Sequence, residues 1–191
     1  MCPHTSGLLP RATVTPASAL AERAPMELPA PPADYETRMK RCAEESRLCD
    51  VGEDAFGRAV WLAEDAATAW IRMQSAAKED GIRLLLLSGF RSVERQAEII
   101  RRKLAAGQSL DAILRVSAYP GFSEHHTGRA IDIGSADSEH LSEEFESTRE
   151  FEWLCAHASE YGFRLSYPRD NASGVIYEPW HWSMATSGAD S

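Results

Sequence analysis

The stretch Ser123-Glu124-His125-His126-Thr127-Gly128-Arg129-Ala130-Ile131-Asp132 decides how this chain is read. It leaves a loop bounded by Gly, Ser and Pro and enters a short apolar strand, expected over 129–133. Side chains alternate along a strand, so Arg129, Ile131 and Ile133 share one face and Ala130 and Asp132 the other. Ala130 is too small to cover its neighbour, so Asp132 emerges at the sheet surface, where a metal could meet it. Far along the chain, Glu178-Pro179-Trp180-His181 repeats the same residue types. Together the two segments hold at least two usable imidazoles, an aspartate and a spare glutamate. A catalytic zinc site needs three protein ligands, with a general base beside it.

Taken singly, each half says less. Asp132 alone fits a salt bridge or a cap, and His181 between Trp180 and Trp182 fits an aromatic edge strand. Positions 178 and 181 of a straight strand point to opposite faces. Pro179 lacks a ladder donor and favours an edge or a bend, and a distortion there turns both side chains toward one centre. His4, His140 and His157 have no acidic or histidine company in a suitable frame and read as ordinary core or surface residues.

Working outward, a first helix is expected from Tyr35 to about Ser46, with a break over 50–53. Leu62, Ala66, Trp70, Met73 and Ala77 recur at steps of three and four, which predicts an amphipathic helix over 54–79. Gly81 ends it, and an inner strand follows over 82–87. Ser92 reads as the N-cap of a helix running to about Ala105. Residues 107–121 read as a long connection with one helical turn at Leu110 to Leu114. A helix over 147–161 carries Phe151, Leu154, Cys155 and Ala158 on one face and stops at Gly162. Strands over 163–167 and 175–182 flank a turn-rich segment. Helices and strands are interspersed with no recurring crossover, so the expected fold is α+β, a small, largely antiparallel sheet with flanking helices.

The chain has 191 residues, 43% hydrophobic and 26% charged, enough for one domain with a real core. The expected organisation is a Pro/Ala-rich mobile tail over 1–34, the domain over 35–185, and a frayed end over 186–191. A net charge of −9 argues against a nucleic-acid partner. Arg91, Arg95, Arg101, Arg102 and Lys103 alternate with Glu94 and Glu98 and read as a solvated helix face. No apolar run is long enough to span a bilayer, so no membrane association is expected. Pro10, Arg11, Thr13 and Thr15 interrupt any signal-peptide core, which makes the cytoplasm the expected location and the periplasm the alternative. Cys2, Cys42, Cys49 and Cys155 are too few and scattered for a disulfide framework, although Cys42 and Cys49 could pair in an oxidising compartment.

From roughly Leu62 to Met184 the chain resembles the zinc D-alanyl-D-alanine carboxypeptidases of the VanY type, which share a fold with the hedgehog signalling domain. The motifs that carry the resemblance are Ser88-Gly89-Phe90-Arg91-Ser92 with Gln96, Ser123 to Asp132, Tyr161-Gly162-Phe163, Tyr167-Pro168 and Glu178-Pro179-Trp180-His181. The resemblance implies that His125, Asp132 and His181 bind Zn²⁺ and that Glu178 is the catalytic base. Arg91 would face the substrate and the oxyanion, and Gln96 and Ser123 would help hold the C-terminal residue of the peptide. The implied substrate is a peptidoglycan-derived peptide ending in D-Ala. His126, His157 and Ser166 stand where relatives usually have Gln, Asn and Arg, which bears on substrate preference. His126 is left between a contact with the site and an exposed bystander.

The expected reaction is removal of terminal D-alanine from stem peptides. An L,D-enzyme acting on tetrapeptides during wall recycling is preferred over a D,D-enzyme acting on D-Ala-D-Ala. A phage-type endopeptidase of the same fold and a zinc-bearing domain without catalysis are the alternatives. Oligomeric state is not legible in the sequence.

Overall fold

The computed structural model describes residues 27–185. The first 26 residues of the tail expected over 1–34, the fraying over 186–191, Cys2 and His4 lie outside the described residues. Four strands form one antiparallel sheet in the order β3-β4-β6-β5: β3 is Leu85–Ser88, β4 Ala130–Gly134, β5 Phe163–Leu165 and β6 His181–Met184. A separate hairpin pairs β1, Leu48–Glu53, with β2, Ala59–Ala63. The fold is thus the mixed helix and antiparallel-sheet class expected.

Central strand β4 is buried along its whole length. On one face Ile131 and Ile133 join the main core with Trp70, Met73, Leu154 and Trp182. On the other, Asp132 sits between two neighbours in register, Ser88 on β3 and His181 on β6. The predicted alternation therefore does what matters for the site, since one face of β4 builds the core and the other presents a carboxylate.

Helix α2 spans Glu64–Glu79 and buries Ala66, Trp70, Met73 and Ala77, the stripe read in the sequence. Its predicted start was too early. Residues 59–63 are strand β2, with Val60 and Leu62 inward and Trp61 outward. Leu62 and Ala66 fall four apart, so a strand that feeds directly into a helix imitates one continuous helical stripe. The expected break over 50–53 is likewise part of β1.

Helix α1 is only Tyr35–Arg38. Beyond it the chain runs extended beside the site loop, where Cys42 N–H donates to Gly121 O (2.8 Å) and Glu45 N–H to His126 O (2.8 Å). Tyr35 anchors a second apolar cluster with Phe122, Leu114 and Tyr167. Its hydroxyl accepts from Tyr119 N–H at 2.8 Å, tying the start of the domain to the loop before Ser123.

Helix α3 is Val93–Ala105, and Ser92 Oγ accepts from Arg95 N–H as its N-cap. Helix α4 is Leu110–Leu114, where the single turn was expected. Helix α5 covers Arg149–His157 and continues as a 3₁₀ turn over Ala158–Tyr161. Within α5 the inward side falls on residues 153 and 154. Trp153 and Leu154 are buried, while Cys155, assigned inward from its spacing, is exposed. Cys42, Cys49 and Cys155 are all free thiols.

Candidate metal centre

His125 rides on a 3₁₀ turn, Glu124–Thr127, that closes on Gly128 in the left-handed conformation (φ 65°). A side chain at Gly128 would bring its Cβ within 2.8 Å of Ala63 N, so this turn requires glycine. Asp132 comes from β4, and His181 is the first residue of β6, directly opposite it. The three are buried, and their ligand atoms lie within 4.8 Å of one another.

The separations suit a shared ion. His125 Nε2 lies 3.3 Å from Asp132 Oδ2, and His181 Nδ1 lies 3.0 Å from Asp132 Oδ1. Ligands at about 2.0–2.1 Å around a tetrahedral zinc stand about 3.3 Å apart. The far nitrogens are already engaged: His125 Nδ1–H donates to Gly89 O (2.7 Å), and His181 Nε2–H to Glu124 Oε2 (2.9 Å). Those bonds orient the two rings so that Nε2 of His125 and Nδ1 of His181 face Asp132.

Neighbouring charges shift the ionisation of each of these groups. Burial works against a charged His181, yet hydrogen bonds and charge from Asp132 and Glu124 outweigh it and raise the imidazole to about 10. Burial likewise opposes ionisation of Asp132, but His125 and His181 hold its carboxyl well below the usual range. His125 is pushed down by burial. A divalent ion would take over the compensating role of the His181 proton, so binding should release it.

Glu178 does not lie in a strand. The expected strand over 175–182 begins only at His181, and residues 178–181 form a tight turn in which His181 N–H donates to Glu178 O (3.0 Å). Pro179 takes the second position of that turn, where its fixed φ is favourable. The turn removes the opposite-face problem of a straight strand, and Glu178 and His181 line one cleft of about 310 Å³. Burial raises the Glu178 carboxyl to about 7, with His181 opposing the shift and Asp132 adding to it.

Arg91 and Ser123 line the same cleft. Gln96 is placed differently. It is fully buried behind Arg91, with Oε1 accepting from Arg91 Nη1 (2.9 Å) and Nε2 donating to Ala118 O (2.6 Å). Both ends of its amide are spent inside the protein, so it positions Arg91 and does not line the cleft. The reading of the basic residues around α3 as a solvated face also needs correcting, because Arg91 and Lys103 line the cleft.

Two residues adjoining His125 went unassigned in the sequence. Glu124 holds the outer nitrogen of His181, and its carboxyl falls to about 2 because bonds from His181, Ser166 and Ser183 outweigh burial. His126 is buried, not an exposed bystander. Its Nδ1–H donates to Arg91 O (2.6 Å), and its Nε2 accepts from Gly121 N–H (3.2 Å), so one neutral tautomer satisfies both bonds. Glu124 lies within the quoted stretch, but its partner is distant in sequence and no local spacing announces the contact.

Gly89 supplies the carbonyl that orients His125, and the adjoining hairpin leaves it no room. A Cβ at this position would approach Val60 Cγ1 to 2.5 Å and Trp61 O to 3.1 Å. Gly89→Ala is expected to cost about 1–3 kcal/mol of stability through overpacking. It should also weaken metal binding by displacing the carbonyl. Thermal unfolding with and without added zinc reads both effects, and an unchanged midpoint would show that the loop yields freely.

Comparison with known proteins gives a consistent picture. Residues 59–187 match the family model VanY, D-alanyl-D-alanine carboxypeptidase. A D-alanyl-D-alanine carboxypeptidase of Enterococcus faecalis is 34% identical over 117 residues, 56% of this chain and 42% of that protein. The chain thus spans less than half the length of this curated relative. Among solved structures, the LD-carboxypeptidase LdcB superposes with a TM-score of 0.68 at 34% identity, covering 76% of this chain and 71% of LdcB. A variant of the D,D-pentapeptidase VanY from a VanB-type resistance cassette, solved with Zn(II), gives 0.58 at 26% identity, covering 74% and 80%. VanYB in complex with D-Ala-D-Ala gives 0.60 at 26% identity, covering 78% and 82%.

Proposed function

This chain belongs to the VanY family of D-alanyl-D-alanine carboxypeptidases, and we propose that it is a zinc carboxypeptidase removing terminal D-alanine from peptidoglycan stem peptides. The observation that carries this reading is the convergence of His125, Asp132 and His181 at one centre, with Glu178 and Arg91 in the same cleft. The three ligands would hold zinc, as the VanY structure with Zn(II) supports. When bound, zinc supplies Lewis-acid activation of water and of the scissile carbonyl.

The chain's own residues do the rest. Glu178, raised to about 7, accepts a proton from the attacking water near neutral pH. Once the water oxygen has bonded to the carbonyl carbon, the C–N bond breaks and Glu178 delivers its proton to the leaving amine of D-alanine. Arg91 faces the developing oxyanion, where one such donor is worth roughly 3 kcal/mol. Retention of Glu178 and Arg91 in the cleft favours an enzyme over a zinc-bearing domain without catalysis.

L,D-carboxypeptidase activity on tetrapeptides is the preferred version. LdcB, an LD-carboxypeptidase, matches at higher identity and TM-score than the two VanY structures. Incubation of the zinc-loaded protein with stem tetrapeptide and pentapeptide, followed by mass analysis, tests it. Loss of one alanine from the tetrapeptide is expected. Shortening of the pentapeptide alone would make it a D,D-enzyme, and release from neither would remove the carboxypeptidase reading.

A further inference from the structure

An exopeptidase must tell a terminal carboxylate from a peptide bond; of the two residues implied for that task by resemblance, Ser123 lines the cleft as a neutral hydroxyl and Gln96 does not reach it. Two cationic side chains do: Arg91 and Lys103. Arg91 is committed, with Nη1 on Gln96 and Nη2 3.4 Å from Ser88 Oγ. Lys103 Nζ donates to Ser117 Oγ at 2.7 Å, and among the described residues no carboxylate lies within ion-pair distance of it. This is notable in a chain of net charge −9.

The position of Lys103 follows from helical geometry. Gln96, Ile100 and Lys103 are spaced i, i+4, i+7 along α3, so they share the face turned to the protein, where Gln96 and Ile100 are fully buried. Lys103 stands at the C-terminal end of that row. Its stem follows the buried face, and its ammonium reaches the cleft beside Ser117. Ser117 precedes Ala118, whose carbonyl anchors Gln96, so one loop braces both the Arg91 support and the lysine.

Building on the carboxypeptidase reading, we propose that Lys103, steadied by Ser117, is the residue of the cleft that recognises the substrate's terminal carboxylate. The two cations then have separate tasks: Arg91 serves the scissile carbonyl, and Lys103 selects peptides that end where the cleft ends. Burial and the nearby Arg91 charge both push the Lys103 ammonium down, with Glu178 opposing them, and a bound carboxylate would relieve that strain.

The test is a binding measurement, so it does not depend on turnover. In the zinc-loaded Glu178→Gln protein, calorimetry compares a D-Ala-terminated tetrapeptide with its C-terminal carboxamide. The acid should bind about 10- to 100-fold more tightly, the worth of a charge-assisted hydrogen bond. Adding Lys103→Gln should bring that ratio close to one, and Lys103→Arg should restore part of it. Peptides with lysine or diaminopimelate at the third position separate the terminal carboxylate from a side-chain one. An acid-to-amide ratio unchanged by Lys103→Gln overturns the proposal, as does no preference for the acid with Lys103 present. A loss confined to diaminopimelate peptides also overturns it. A wild-type protein that binds the acid selectively but hydrolyses neither peptide would instead refute the carboxypeptidase reading and leave the role of Lys103 standing.

Discussion

Glu178→Ala is expected to keep its zinc and lose turnover, with kcat on the tetrapeptide falling about 10²- to 10⁴-fold. The separation of the two effects comes from geometry. Glu178 is not among the three residues whose donor atoms converge, and its turn is held by the backbone through Glu178 N–H to Tyr167 O and His181 N–H to Glu178 O. Truncating the side chain leaves those bonds in place, so His181 keeps its position. What goes is a nearly buried carboxyl that burial has raised to about 7, a value suited to accepting and returning a proton near neutrality. Metal content by elemental analysis should stay at the wild-type level. Wild-type turnover by the variant would show that another group handles the proton, and lost metal would make Glu178 a structural part of the centre.

How much of this could be read from the chain depended on range. Local residue types only hinted at a metal site, and it was the resemblance in two short motifs that singled out His125, Asp132, His181 and Glu178. Asp132 was further fixed by alternation, which needs only its neighbours Ile131 and Ile133 to be apolar. The Ser92 cap and the single turn at Leu110–Leu114 were legible for the same local reason. The β1–β2 hairpin was not, since its buried residue Leu62 falls in phase with α2 and hides the boundary at Glu64.

The supports of the site were the hardest part to see. Gln96 reads as a surface-capable donor on a charged helix, and only packing shows it sealed beneath Arg91 with its nitrogen on Ala118 O. His126 fixes the backbone of Arg91, a residue far from it in sequence, and Glu124 fixes His181 across a still longer interval. Lys103 alternates with acidic residues as a solvated lysine would, yet its stem lies along the inner row of α3. Each of these roles depends on tertiary closure of the sheet, which brings β4 and β6 side by side.

That closure makes Asp132 the residue whose loss should reach furthest. Its carboxylate meets both histidines, at 3.3 Å from His125 Nε2 and 3.0 Å from His181 Nδ1, and it is buried. Loss of an outer-shell partner costs about 10- to 100-fold in metal affinity. Asp132→Ala removes a first ligand and should exceed that. Zinc at a thousand times its Kd adds about 4 kcal/mol to the wild-type protein. For a domain of this size that is roughly 8–16 °C in Tm. The variant should lose that rise. Its metal-free form should also melt below the metal-free wild type, because breaking a buried ion pair costs up to about 3–5 kcal/mol. Residual pairing of His181 with Glu124 at 2.9 Å should keep the loss toward the low end of that range. Melting curves of chelator-treated and zinc-loaded protein decide it, and an undiminished zinc shift in Asp132→Ala would mean that the ion binds elsewhere.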